Sequence, residues 1–339
     1  MGTISITDFE DVKIPVPWGH ISGRWYGNRK ERPILALHGW LDNLGTFDRL
    51  IPLLPDYIGI LCIDFPGHGR SSHIQHGLFY SDYVTVIPIV MKEYGWTKVS
   101  LMGHSMGGFQ CFMYASINPQ AVDMIITLDI LLPLKNKIEN MAMKFEKQLV
   151  EIERQNYGNY REPPSYTFAQ LEKTMAKRRF KSEFPELAKH LLHRQLSRSK
   201  LYPEKFYFSR DARIMNYHFL DVDDGLAMEM ARQVKGKPFL IIKGSRSPYL
   251  SQRSFEAIGI MAEDNPHFEL YEVEGGTHYV HLHAAEECAR YIVPFIRHHR
   301  PPILTSWSLA GKEAEVSRTE RHREPKEYPT RSSNNRSKL

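Results

Sequence analysis

"KVSLMGHSMGGFQCFMYASI", residues 98–117, is the stretch whose reading decides the fold. KVSLMGHS is a short apolar run of the kind a buried strand needs, and MGGFQCFMYASI continues with helical spacing. Between them, GHSMG (103–107) has the form G-x-S-x-G. Its two glycines permit a turn so sharp that the Ser105 side chain stands clear of it. The backbone N–H of Met106 then falls at a helix N-terminus, where it can stabilise an oxyanion. DMIITLDI (123–130) follows as a second buried strand. This β-α-β order predicts a parallel sheet with crossover helices, whose ligands bind at the C-terminal ends of the strands.

The flanking segments extend that pattern. VKIPVPWG (12–19) and HISGRWYG (20–27) predict a hairpin of edge strands, because Pro15 and Pro17 suit an edge. PILALHG (33–39) and YIGILCIDFPG (57–67) read as strands buried on both faces. TFDRLIPLLP (46–55) is helical in part, and YSDYVTVIPIVMKEYG (80–95) is a helix that Pro88 could kink. From about 134 to 230 the pattern becomes amphipathic and helical without a buried strand, in NKIENMAMKFEKQLVEIERQ, SYTFAQLEKTMAKRRF and PELAKHLLHRQL. The sheet resumes with KPFLIIKG (237–244), a helix around 251–262, HFELYEVEGG (267–276) and a last helix over 284–299. The expected organisation is a core of 1–133 and 231–300, a helical cap of 134–230, and a disordered polar tail of 301–339.

Composition narrows the function classes. The chain has 339 residues, 42% of them hydrophobic, enough for a large domain with an insertion. No apolar run approaches the ~20 residues of a membrane span, and the N-terminus lacks the profile of a secretory signal. Cys62, Cys111 and Cys288 lie far apart with no C-x-x-C, which predicts buried free thiols in a reducing compartment. The net charge is +5, but residues 299–339 hold nine Lys/Arg against five Glu. The remainder is near neutral, so nucleic acid is not an expected partner.

Three further loops are expected at the edge where Ser105 emerges. LHGWLDN (37–43) would set the Trp40 N–H beside that of Met106 as the second oxyanion donor. His38 in this loop reads as a hydrogen-bonded loop histidine. In DFPGHGRSS (64–72), Asp64 and His68 read as structural. EGGTHYVHLH (274–283) offers three histidines as a base for Ser105. His278, first after the Gly-Gly turn, is the choice; His281 and His283 lead into the next helix and read as packed or solvated.

The order HGW, DFPGHGRSS, GHSMGG, helical insertion, GGTHYVHL resembles the α/β-hydrolase superfamily. Within it the chain looks most like the serine hydrolase-like proteins, through VPWGHISGRWYG, LALHGWLDNLGTFDRLIPLLP and SRDAR (209–213), over roughly residues 10–298. The resemblance implies a mostly parallel central sheet flanked by helices with an inserted helical cap. It also implies Ser105 as nucleophile, His278 as base, and Trp40 and Met106 as oxyanion donors. Many members keep the acid after the strand that here ends KGSRS, where this chain has Ser247. A serine cannot stabilise an imidazolium as a carboxylate does. Asp129, closing the strand after the nucleophile helix, is the candidate acid, since some members keep it there. An Asp capping a loop is the other reading of that residue, and Asp221, Asp223 and Asp224 are further candidates.

The expected activity is hydrolysis of a carboxylic ester-like bond through an acyl-enzyme on Ser105, a lipid ester or acyl thioester among the substrates, with no metal or organic cofactor. The alternative is a catalytically weak hydrolase-like binding protein. Ser337-Lys338-Leu339 matches a peroxisomal targeting tripeptide, which gives an import receptor as partner and the peroxisome as location, with the cytoplasm as alternative.

Overall fold

Alternation of side chains along short apolar strands builds two cores from one sheet. Leu35, Leu37, Leu61, Ile63, Leu101 and Ile241 face one side, while Ile34, Ala36, Ile60, Cys62, Met102 and Ile242 face the other. The computed structural model describes residues 2–74, 80–135, 146–147, 149–150, 153, 162–179, 183–216 and 222–302. The strands are β1 (Phe9–Val16), β2 (Gly19–Tyr26), β3 (Ile34–Leu37), β4 (Ile60–Ile63), β5 (Val99–His104), β6 (Val122–Leu128), β7 (Leu196–Arg198), β8 (Phe206–Phe208), β9 (Phe239–Gly244) and β10 (Phe268–Val273). Eight of them form one sheet in the order β1-β2-β4-β3-β5-β6-β9-β10. The β1–β2 and β2–β4 pairs are antiparallel and every other pair is parallel.

The described helices are α1 (Tyr80–Glu93), α2 (Met106–Ile117), α3 (Phe168–Arg179), α4 (Ala188–Gln195), α5 (Asp224–Gln233), α6 (Gln252–Ala262), α7 (Val280–His283) and α8 (Ala285–His299). On one face of the sheet, Val86 and Val90 of α1, Phe112 of α2, Met230 of α5 and Met261 of α6 complete the core. On the other, α8 contributes Ile292, Phe295 and Ile296 beside Phe47 and Leu50. All three cysteines are buried free thiols. No helix among the described residues is long and apolar enough to cross a membrane.

Two sequence expectations need correction. Of the expected edge hairpin, β1 alone lies at an edge; β2 is held between β1 and β4, because residues 23–26 continue the ladder onto β4. The inserted segment also contains strands: β7 and β8 form a half-buried antiparallel hairpin. Three residues per strand are too few to show a period of two. The helices expected within 165–196 appear as α3 and α4, whereas most of the expected helix over 136–155 lies outside the described residues. So do Asp221 and the segment 303–339 with Ser337, Lys338 and Leu339.

The inserted helices have their own small core. Leu171, Met175, Leu187, Leu191 and Leu192 pack with Tyr279 and Leu282, which belong to the loop after β10. A charge anchors α4 to the sheet as well. Arg194 is buried, with Nε and Nη2 donating to Asp64 Oδ2 at 3.2 and 2.8 Å, and Nη2 also donating to the Ser22 hydroxyl at 3.2 Å. Removing one partner of a buried pair leaves the other charge desolvated. Arg194→Met should therefore lower the unfolding free energy by about 3 kcal/mol in urea titrations, and adding Asp64→Asn should restore much of the loss. Equal stability of wild type and Arg194→Met would show that the pair contributes nothing.

Candidate active site

The turn from β5 into α2 places Ser105 at φ 51°, ψ −123°, a conformation that side chains other than glycine rarely adopt. Packing around the turn holds it. A Cβ on Gly107 would fall 2.1 Å from the Leu37 carbonyl oxygen, and one on Gly103 would fall 2.5 Å from the Gly107 backbone. Both positions therefore require glycine, and β3, β5 and α2 close to backbone contact. The Ser105 N–H donates to the Leu128 carbonyl at 3.2 Å, fixing the turn to the end of β6.

The next residue along β6 is Asp129. Register pairs Leu128 with Ile242, so Asp129 leaves the sheet beside the end of β9, where its N–H donates to the Ile242 carbonyl at 2.7 Å. Asp129 is fully buried and also has positive φ, 59°. Its Oδ1 accepts from the Gly244 N–H at 2.9 Å, and its Oδ2 accepts from the Ser247 hydroxyl and lies 2.7 Å from His278 Nδ1. His278 Nε2 lies 2.9 Å from Ser105 Oγ. The imidazole thus joins the serine and the aspartate. Burial pushes the Asp129 carboxyl up to about 7, against the downward pull of the Ser247 hydroxyl, the Gly244 N–H and the Lys243 charge.

Ser247 thus donates to the Asp129 carboxylate from the turn after β9. Two other neighbours of His278 carry no signal in the sequence. Tyr249 stacks on the His278 ring with centroids 3.8 Å apart, and His104 Nε2 donates to the His278 carbonyl at 2.9 Å. A carbonyl only accepts, so the proton of this His104 nitrogen is fixed by its partner. The spacing of Tyr249 two residues beyond Ser247 acquires meaning only once the loop is folded over His278.

The loop after β3 runs against Ser105. A Cβ on Gly39 would sit 3.1 Å from Ser105 Cβ and 3.0 Å from His104 Nδ1, so Gly39 borders the serine closely. The Trp40 indole N–H donates to the Ile214 carbonyl of the inserted segment at 2.8 Å. His38 has a framework position: its Nε2 accepts from the Phe65 N–H at 2.9 Å, its Nδ1 lies 2.7 Å from the Gly39 carbonyl, and burial pushes it down to about 3. His68 Nε2 accepts from the Leu41 N–H, and Asp64 binds the Leu44 and Arg70 N–H groups as well as Arg194. These contacts give all three residues a loop-fastening position.

The remaining candidates lie elsewhere. His281 is buried against the Thr46 hydroxyl at 2.8 Å, and His283 Nε2 accepts from the Thr277 N–H while its ring stacks on Phe184. Asp223 caps α5 by accepting from the Leu226 N–H, and Asp224 pairs with Lys135 and Arg253. Neither is bonded to His278.

Known proteins share this fold. The alpha/beta hydrolase fold family matches residues 32–285. A probable serine hydrolase of Drosophila melanogaster is 30% identical over 294 residues, covering 85% of this chain and 88% of the relative. A serine hydrolase-like protein of Danio rerio is 32% identical over 304 residues, covering 88% and 91%. Among solved structures, a hypothetical protein of Pseudomonas aeruginosa matches with a TM-score of 0.70 at 26% identity, over 85% of this chain and 99% of that one. Family match, long relatives and a solved fold converge on one statement: this chain belongs to the α/β-hydrolase family, among relatives that include the serine hydrolase-like proteins.

Proposed function

We propose that this serine-type hydrolase of ester-like bonds works through an acyl-enzyme on Ser105, with His278 as base and Asp129 as acid. The observation that carries the reading is the bridge made by one imidazole, 2.9 Å to Ser105 Oγ and 2.7 Å to Asp129 Oδ2. Ser105 attacks the carbonyl carbon as His278 Nε2 takes its proton. Asp129 holds the opposite N–H and stabilises the imidazolium as it forms. The N–H groups of Met106 and Trp40 are the proposed donors to the tetrahedral oxyanion. Collapse returns the proton to the leaving alcohol or thiol, and water, activated by the same imidazole, releases the acid.

The proposed substrates are carboxylic esters, with lipid esters and acyl thioesters in the same chemical class. Peroxisomal import is a separate part of the proposal and rests on Ser337-Lys338-Leu339 alone. A chain that never coincides with a peroxisomal marker in cells would remove that part without touching the chemistry.

A second reading, a hydrolase-fold binding protein with little turnover, is favoured by one observation. A carboxyl pushed up to about 7 is partly protonated at neutral pH and then supports the imidazolium poorly. Fluorophosphonate labelling separates the readings, since it requires an activated serine. Under the hydrolase reading the wild type labels and Ser105→Ala does not, while remaining folded. A wild type inert to the probe would favour the binding protein.

The acid has its own test on a generic ester. Asp129→Asn keeps the shape but supplies the wrong hydrogen bond, so kcat should fall by roughly 10²–10⁴. Asp223→Asn and Asp224→Asn should leave kcat within a few-fold. A fully active Asp129→Asn enzyme would remove this residue from the mechanism.

The pH profile follows from the same carboxyl. As pH falls through about 7, Asp129 takes up a proton and kcat/KM should decline. Ser247→Ala deletes a hydrogen bond that pulls this group down, so the acid limb should move to higher pH. A limb unchanged in Ser247→Ala would mean that Ser247 does not tune the acid.

A further inference from the structure

Three imidazoles meet far from Ser105, where the strands enter the sheet. His267 immediately precedes β10, and His298 and His299 end α8. One ring nitrogen from each lies within 4.8 Å of the other two. We propose that His267, His298 and His299 form a zinc site that clips the C-terminal helix to the edge strand of the sheet.

The scaffold holds the His267 backbone and the His299 ring in place before any metal binds. The His267 carbonyl accepts from the Phe239 N–H, and its N–H donates to Asn265 Oδ1, both at 3.0 Å. Asn265 is buried and donates in turn to the Lys237 carbonyl at 3.0 Å. The His299 ring packs edge-on against Phe295, a core residue of α8, with centroids 4.5 Å apart. His298 is exposed and free to rotate onto a shared ion.

The chemistry selects the ion. Three imidazole nitrogens with no carboxylate among them suit zinc and its late transition-metal neighbours rather than calcium or magnesium. Zinc–nitrogen bonds of about 2.0–2.1 Å in a tetrahedron place the nitrogens about 3.3 Å apart. Side-chain rotation of the exposed ring supplies the inward movement from the present spacing. The last carbonyls of α8 present the negative end of the helix dipole, which favours a cation there. The charged neighbours do not occupy the position as ligands: Arg300 is directed to the Arg32 carbonyl and Ser100, and Arg297 is exposed. Water takes the fourth site.

The clip is independent of the ester chemistry, because Gly244 and Val273, which end β9 and β10, lie at the opposite end of these strands from His267. Untagged full-length protein titrated with zinc chloride in a calorimeter should bind one ion per chain, and cobalt(II) should give tetrahedral absorption bands. His267→Ala and His298→Ala should each weaken zinc by at least the ~10–100-fold lost when an outer-shell partner of a metal ligand is removed. Zinc should raise the unfolding temperature of the wild type and not that of His267→Ala. Fluorophosphonate labelling of metal-free His267→Ala should equal that of metal-free wild type, which keeps the two sites distinguishable. Absence of binding to the wild type, or undiminished binding to His267→Ala, would overturn the site.

Discussion

The buried carboxylate of Asp129 is the point on which the candidate site depends. A charge at the end of an apolar strand is costly unless donors meet it. Here they come from two chain segments: the Gly244 N–H and the Ser247 hydroxyl in the turn that ends β9, and the imidazole of His278 after β10. Satisfying one side chain therefore fixes the relative positions of β6, the turn after β9 and the histidine loop. Ser105 is drawn into the same arrangement through its N–H on Leu128, the neighbour of Asp129. Ser105 and Asp129 both carry positive φ, a local cost that the surrounding packing sustains.

The same desolvation gives Asp129 its chemistry and its weakness. Burial holds the carboxyl up near neutrality, while the Ser247 hydroxyl stabilises the charged form. An enzyme with the acid after β9 would need no such helper at this position. In this chain Ser247 donates to Asp129, the partner of the His278 imidazole.

The insertion is coupled to the core by chemically different contacts. Arg194 reaches Asp64 at the end of β4, the Ile214 carbonyl holds the Trp40 indole, and Leu171 and Leu192 pack with Tyr279. Each contact ends on a loop that borders Ser105 or His278, or on one that fastens such a loop. Changes in the insertion thus reach the site through the loops that shape it rather than through the sheet, whose central strands are buried on both faces. His267, His298 and His299 sit at the other end of the strands.

The sequence alone determined the strand-turn-helix at Ser105, the parallel order of the sheet and the helical character of the insertion, because glycine spacing and apolar periodicity are local properties. It also pointed to His278 and Asp129 as residues at the right strand ends. The interior place of β2 and the short hairpin of β7 and β8 were not legible, since both depend on which distant strand is available for pairing. The partnership of Ser247 with Asp129, the stacking of Tyr249 on His278 and the ion pair of Arg194 with Asp64 join residues separated by 118, 29 and 130 positions. No periodicity links positions so far apart. Only the closing of β6 against β9, and of the insertion against β4, brings those groups within hydrogen-bonding distance.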